Sequence, residues 1–121
     1  VTRPFAALYV RVSTDEQELE GQRRALESHA SRQGWLVARV YAEKISGTGR
    51  APREAHAELL RDAAAPGRAF DHVLVLALDR WSRETQFTAA IGSIEALEAS
   101  GVEWHSVREP LLDTGASEGT A

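Results

Sequence analysis

The stretch "DHVLVLALD", residues 71–79, decides the fold. Its near-continuous Val/Leu run leaves no polar face. A strand apolar on both sides belongs at the centre of a parallel sheet, with helices covering both surfaces. Before it, "PGRAF" (66–70) breaks a helix. After it, "RWSRET" (80–85) turns the chain.

Upstream, "FAALYVRV" (5–12) is a short apolar run with β-forming residues, read as a buried strand. Ser13 or Thr14 then opens a helix. Leu19, Leu26 and Ala30 share one face of it, and Gly34 is its C-terminal stop. "WLVARVYA" (35–42) reads as a second strand, and "EKISGTGRAP" (43–52) as a loop dense in Gly, Ser and Pro. A second helix runs from about Arg53, with His56, Leu59, Leu60, Ala63 and Ala64 at helical spacing. Downstream of the central strand, Phe87, Ala90, Ile91, Ile94 and Leu97 mark a third helix, ended by Gly101. "VEWHSV" (102–107) is a fourth strand. This βαβαβαβ order predicts an α/β three-layer sandwich around a four- or five-stranded, mostly parallel sheet.

Bulk properties agree. The 121 residues suit one domain, 1–121, and 43% hydrophobic with 26% charged residues is an ordinary globular balance. No apolar run approaches the roughly 18 residues that span a bilayer. There is no cysteine, so disulfides and thiolate metal sites are excluded, which fits a cytosolic setting. The four histidines (His29, His56, His72, His105) are scattered, and no pair has a metal-ligand spacing, so no metal site is expected. The net charge of −4 argues against a surface that grips nucleic acid all over. Of fourteen basic residues, all but Lys44 are Arg. Biased genome composition explains that; so does phosphate clamping by planar guanidinium forks. The chain starts on Val1 and ends on "DTGASEGTA", and both ends read as cuts in a longer protein.

In open parallel sheets, ligands sit beyond the carboxyl ends of the strands. Three strand ends here carry polar groups: Arg11 and Ser13; the "SGTG" loop with Arg50 and Arg53; and Asp79, Arg80, Ser82 and Arg83. Each has a plain reading. Ser13 and Thr14, with Glu16 and Gln17 three residues on, form a capping box. "LDRWSR" can be a solvated turn. Arg53 can be a surface residue, though a cation suits a helix start poorly. Arg11 is harder to dismiss, because a guanidinium at the end of a buried strand needs an anion or water. The recurrence of such groups at successive strand ends favours one shared anionic site. Arg is a poor proton acceptor but stabilises spread-out negative charge through paired N–H donors. A phosphodiester under attack develops such charge, and each preorganised donor is worth roughly 10²–10³ in rate. A Ser hydroxyl as nucleophile would form a covalent intermediate and split the reaction in two. No cluster of carboxylates is present to hold a metal.

These residues resemble the catalytic domain of the serine site-specific recombinases, the resolvase/invertase and large serine integrase group. The resemblance covers about Phe5 to Thr114. It rests on four ordered blocks: "YVRVST" with Gln17 and Gln22, "SGTGRAPRE", "LDRWSR", and Asp113-Thr114. It implies that Ser13 attacks the scissile phosphate to give a 5′-phosphoserine and a free 3′-OH, with rejoining that needs no metal, ATP or other cofactor. It implies that Arg11, Arg80 and Arg83 hold and neutralise the phosphate. By the same likeness Asp79 orients an Arg or passes a proton to the leaving 3′-oxygen, and Gln17 and Gln22 support the site. The loop arginine is Arg50 or Arg53; Arg53 is preferred, since Leu59-Leu60 then fall where the family's helix shows its apolar pair. In many members Pro follows that Arg, whereas here Glu54 follows and Pro52 precedes.

The implied partners are double-stranded DNA recombination sites and further copies of the chain, a homodimer assembling to a tetramer, in the cytoplasm of a bacterium or encoded by a phage. The family's long C-terminal helix and DNA-binding region would lie beyond Ala121. The rivals are a catalytically inactive relative kept for oligomerisation or regulation, and a phosphoacceptor receiver domain. The receiver wants an acidic pair after the first strand, where this chain has Arg-Val-Ser.

Overall fold

The computed structural model describes residues 2–12, 16–44, 53–81 and 87–110, the side chain of Phe87 excepted. Their order is β1 (Phe5–Val12), α1 (Glu16–Gln33), β2 (Leu36–Lys44), α2 (Glu54–Ala64), β3 (His72–Val75), the single turn α3 (Leu78–Trp81), α4 (Phe87–Ala99) and β4 (Glu103–Ser106). The four strands form one sheet in the order β2-β1-β3-β4, and every pair is parallel.

Period-2 alternation divides the core. Ala7 and Tyr9 face one layer with Leu59, Ala63, Trp81, Leu97 and Trp104, built from α2, α3 and α4. Leu8 and Val10 face the other with Leu26 and Ala30 of α1. A right-twisted sheet feeds right-handed crossovers. The step from β1 to β2 therefore puts α1 on one side, and the return past β1 to β3 puts α2 on the other. The chain reverses direction across the sheet between β1 and β3, which is where such folds open a ligand crevice.

The predicted α/β sandwich is the observed one, with four strands. Both β1 and the glycine stops agree: Gly34 has φ +79° and Gly101 φ +86°, positions where a side chain would be strained. Three readings differ. Glu43 and Lys44 belong to β2 rather than to a loop, because they pair with Arg11 and Val12 of β1. The central strand is only His72–Val75, and Leu78–Trp81 coil into a helical turn, so Asp79 and Arg80 sit on a helix. Ala64 and Ile91, placed on apolar stripes, are exposed, since each helix buries a narrower face than its sequence offers. Ser13, Thr14, Arg50, Arg83 and Asp113-Thr114 lie outside the described residues.

Candidate active site

Two polar networks meet at the carboxyl edge of the sheet, one on each face. On the α1 face, buried Gln22 clasps the backbone of Arg11. Its Nε2 donates to the Arg11 carbonyl at 3.0 Å, and the Arg11 N–H donates to its Oε1 at 3.4 Å. The same Nε2 lies 3.3 Å from Glu18 Oε1, and that oxygen lies 3.5 Å from Arg80 Nη1. Gln22 and Glu18 are one helical turn apart, so one face of α1 ties the end of β1 to α3.

On the other face, Arg53 Nη2 donates to the Tyr9 hydroxyl at 3.1 Å and to the Trp81 carbonyl. Tyr9 in turn donates to Glu43 Oε1 at 3.3 Å. Glu43 then accepts the backbone N–H groups of Ala55 (3.3 Å) and His56 (3.1 Å) in the first turn of α2. Arg53 is the N-cap residue of α2 but makes no side-chain cap. A carboxylate reaching over from β2 supplies both the missing acceptors and the negative charge that a helix N-terminus favours. The misfit of a cation at this helix start is thereby resolved. Arg53 turns away to Tyr9 and Trp81, and Glu43 does the capping.

Electrostatics follow from this packing. Burial pushes the Tyr9 phenol up to about 12, opposed by the hydrogen bond and charge of Arg53. The hydroxyl therefore keeps its proton and remains a donor to Glu43. His56 packs edge-on to Tyr9 and against Trp81, with ring centroids 5.7 Å and 4.4 Å away. Burial, then the positive charges of Arg53 and Arg11, lower it to about 4. Two arginines from different strand ends thus act on one histidine. The Nε atoms of Arg53 and Arg80 are buried and have no hydrogen-bond partner among the described residues. A buried N–H without an acceptor is costly, so both guanidinium groups call for one.

The α3 turn is fixed separately. Glu109, just past β4, accepts the Leu78 N–H at 2.6 Å and the Ser106 hydroxyl at 2.8 Å. Trp81 donates from its indole nitrogen to Ser93 of α4 at 2.9 Å. Asp79 is exposed and forms no ion pair among the described residues. Gln17 is exposed at the start of α1. The structure thus draws Arg11, Gln22, Arg53 and Arg80 to one edge. Tyr9, Glu18, Glu43, His56 and Glu109 join them, and none was assigned to the site from the sequence, where His56 stood only on a helical stripe. Glu43 is brought in by its parallel register opposite Arg11, which no local sequence signal shows.

The family model described as "Resolvase, N terminal domain" matches residues 6–121. The chain belongs to the resolvase family. It is similar to the N-terminal catalytic domain of TP901-1 integrase, at 28% identity over 96% of this chain and 85% of that one, with a TM-score of 0.78. It is also similar to the C-terminal catalytic domain of ISC1926 TnpA, an IS607-like serine recombinase. There the identity is 27% over 85% of this chain and 70% of that one, with a TM-score of 0.71. A resolvase family site-specific recombinase from Streptococcus pneumoniae shares the fold, with 20% identity over 93% of this chain and 77% of that one, and a TM-score of 0.74. The resolvase-like domain described here is therefore a serine recombinase catalytic domain. Among its described residues, no helix is long and apolar enough to cross a membrane.

Proposed function

We propose that this resolvase-like domain, residues 1–121, cleaves and rejoins DNA through Ser13. In the chain Ser13 comes directly after β1, and the two networks meet at that end of the strand. Its oxygen attacks the scissile phosphorus and forms an O–P bond. The Ser13 hydroxyl gives up its proton to solvent as the P–O3′ bond breaks, and the leaving 3′-oxygen takes up a proton, giving a 5′-phosphoserine and a 3′-hydroxyl. Rejoining is the reverse attack by a 3′-hydroxyl on the phosphoserine, so the bond energy is kept and no nucleotide is consumed.

The observation that carries this reading is the guanidinium cluster. Arg11, Arg53 and Arg80 come from three different strand ends to one edge, and the first two depress His56 together. Such a cluster suits the negative charge that builds on the non-bridging oxygens of a phosphodiester in its transition state. Arg53 and Arg80 each have an Nε–H that a phosphate oxygen satisfies. Arg83 is assigned to the same group from its place two residues past Trp81, and Asp79 to orienting an Arg or protonating the leaving oxygen. Gln22 is a positioning residue that holds the Arg11 backbone, and Gln17, exposed near the start of α1, is assigned a supporting polar role. The DNA partner is a double-stranded recombination site, met by a dimer that pairs into a tetramer.

The full-length protein, incubated with an end-labelled recombination site, should form a covalent 5′ adduct visible on a denaturing gel. Ser13→Ala should abolish it. An adduct that persists in Ser13→Ala, or an intact protein that never forms one on a site it binds, favours the inactive, regulatory relative instead.

A further inference from the structure

The opposite end of β3 carries a second constellation, away from the carboxyl edge. His72 opens β3, and the register sets it opposite Glu103 of β4, with Leu74 opposite His105. These three side chains converge. His72 Nδ1 is 3.0 Å from His105 Nε2 and 3.3 Å from Glu103 Oε1, and His105 Nε2 is 3.5 Å from the same oxygen. Both imidazoles are buried, and Trp35 stacks on His72 at 4.2 Å and leans on His105 at 4.6 Å.

The triangle holds three atoms of metal-ligand type within 3.5 Å of one another. With one proton between the two nitrogens, a nitrogen lone pair faces the carboxylate. With both nitrogens protonated, two N–H groups point at each other across 3.0 Å. A cation at the centre would take one lone pair from each of the three. Around a tetrahedral zinc ion with bonds of about 2.0–2.1 Å, neighbouring ligand atoms stand about 3.3 Å apart. The three observed edges bracket that value.

We propose that His72 Nδ1, His105 Nε2 and a Glu103 carboxylate oxygen bind a divalent cation of the zinc class on the α1-facing side of β3 and β4. Two imidazoles and one carboxylate select zinc, cobalt or nickel over magnesium or calcium, which want oxygen ligands throughout. Glu103 is 24% exposed, which gives the ion its way in and leaves a fourth position for water. The bond would fasten the edge strand β4 to β3. It is independent of the DNA chemistry proposed for Ser13.

The test is calorimetric titration of chelator-stripped, tag-free protein with zinc sulfate at neutral pH, repeated with cobalt to read visible absorption. One ion per chain at about micromolar affinity or tighter, with the absorption bands of tetrahedral cobalt, is expected; magnesium should give no heat. Glu103→Gln should weaken binding by more than the roughly tenfold that loss of a supporting group costs. Because Glu103 is partly exposed, this variant tests the site even if His72 or His105 variants fold poorly. Absence of zinc binding at about one hundred times that concentration, or unchanged binding in Glu103→Gln, overturns the proposal.

Discussion

The Tyr9 hydroxyl accepts a hydrogen bond from Arg53 Nη2 at 3.1 Å, so a residue buried in the middle of β1 fixes a guanidinium at the start of α2. The same hydroxyl donates to Glu43, which caps α2. One oxygen thereby couples the end of β2, the entry to α2 and the arginine that faces the candidate site.

Tyr9→Phe removes that oxygen and leaves the ring packed on Trp81, 5.2 Å away. The loss of one donor and one acceptor from a buried network should cost about 1–2 kcal/mol. A urea titration should show a lower midpoint at an unchanged slope. In the full-length recombinase the covalent adduct should form more slowly, because Arg53 loses a restraint. An unchanged midpoint would mean that Tyr9 contributes only its ring.

His56 should make the protein sensitive to mild acid. Its folded value, about 4, lies below the 6.5 of the unfolded chain, so between these pH values the unfolded state binds a proton that the folded state refuses. Stability from this group is complete above about pH 6.5 and falls as pH drops towards 4, by at most about 3 kcal/mol. Urea midpoints at pH 7.5, 6 and 5 should decline in the parent chain and decline less in His56→Gln. Parallel curves for the two proteins would contradict the assignment.

Asp71 governs a lower window. Its carboxylate accepts the Arg3 backbone N–H at 2.7 Å and the Arg3 guanidinium, and Arg68 joins at 3.2 Å. Hydrogen bonding to Arg3 is the main cause that holds it down to about 2, from 3.8. This lowered value stabilises the fold above about pH 4 and is lost as pH falls through 2, amounting to no more than about 2 kcal/mol. Asp71→Asn should lower stability at neutral pH and flatten the acid limb below pH 4, read by far-ultraviolet circular dichroism.

How much of this was legible in advance depended on sequence distance. "FAALYVRV" and "HVLV" announce strands because apolar β-formers in a run have nowhere else to go. Gly34 and Gly101 announce helix ends because only glycine adopts their backbone at no cost. The arginines at strand ends could be read as a group once the βα alternation was recognised. Glu43 could not. In the chain it borders a Gly-rich stretch and looks like a loop residue; only pairing with β1 makes it strand, buries it, and aims it at the N–H groups of Ala55 and His56. The His72–Glu103–His105 triangle was hidden for the same reason. Thirty-three residues separate the two imidazoles, and no local spacing rule reaches that far.

By itself the sequence determined the α/β layering, the strand and helix order and the placing of Arg11, Arg53 and Arg80 at successive strand ends. These follow from hydrophobic period and local backbone preference, which act within a few residues of chain. The tertiary structure alone decided which face each side chain occupies and which partner it meets. Parallel register is a long-range property, set by how helices pack across the sheet. It is what turned Tyr9 and Glu43 from core and loop residues into the partners that hold Arg53 and cap α2.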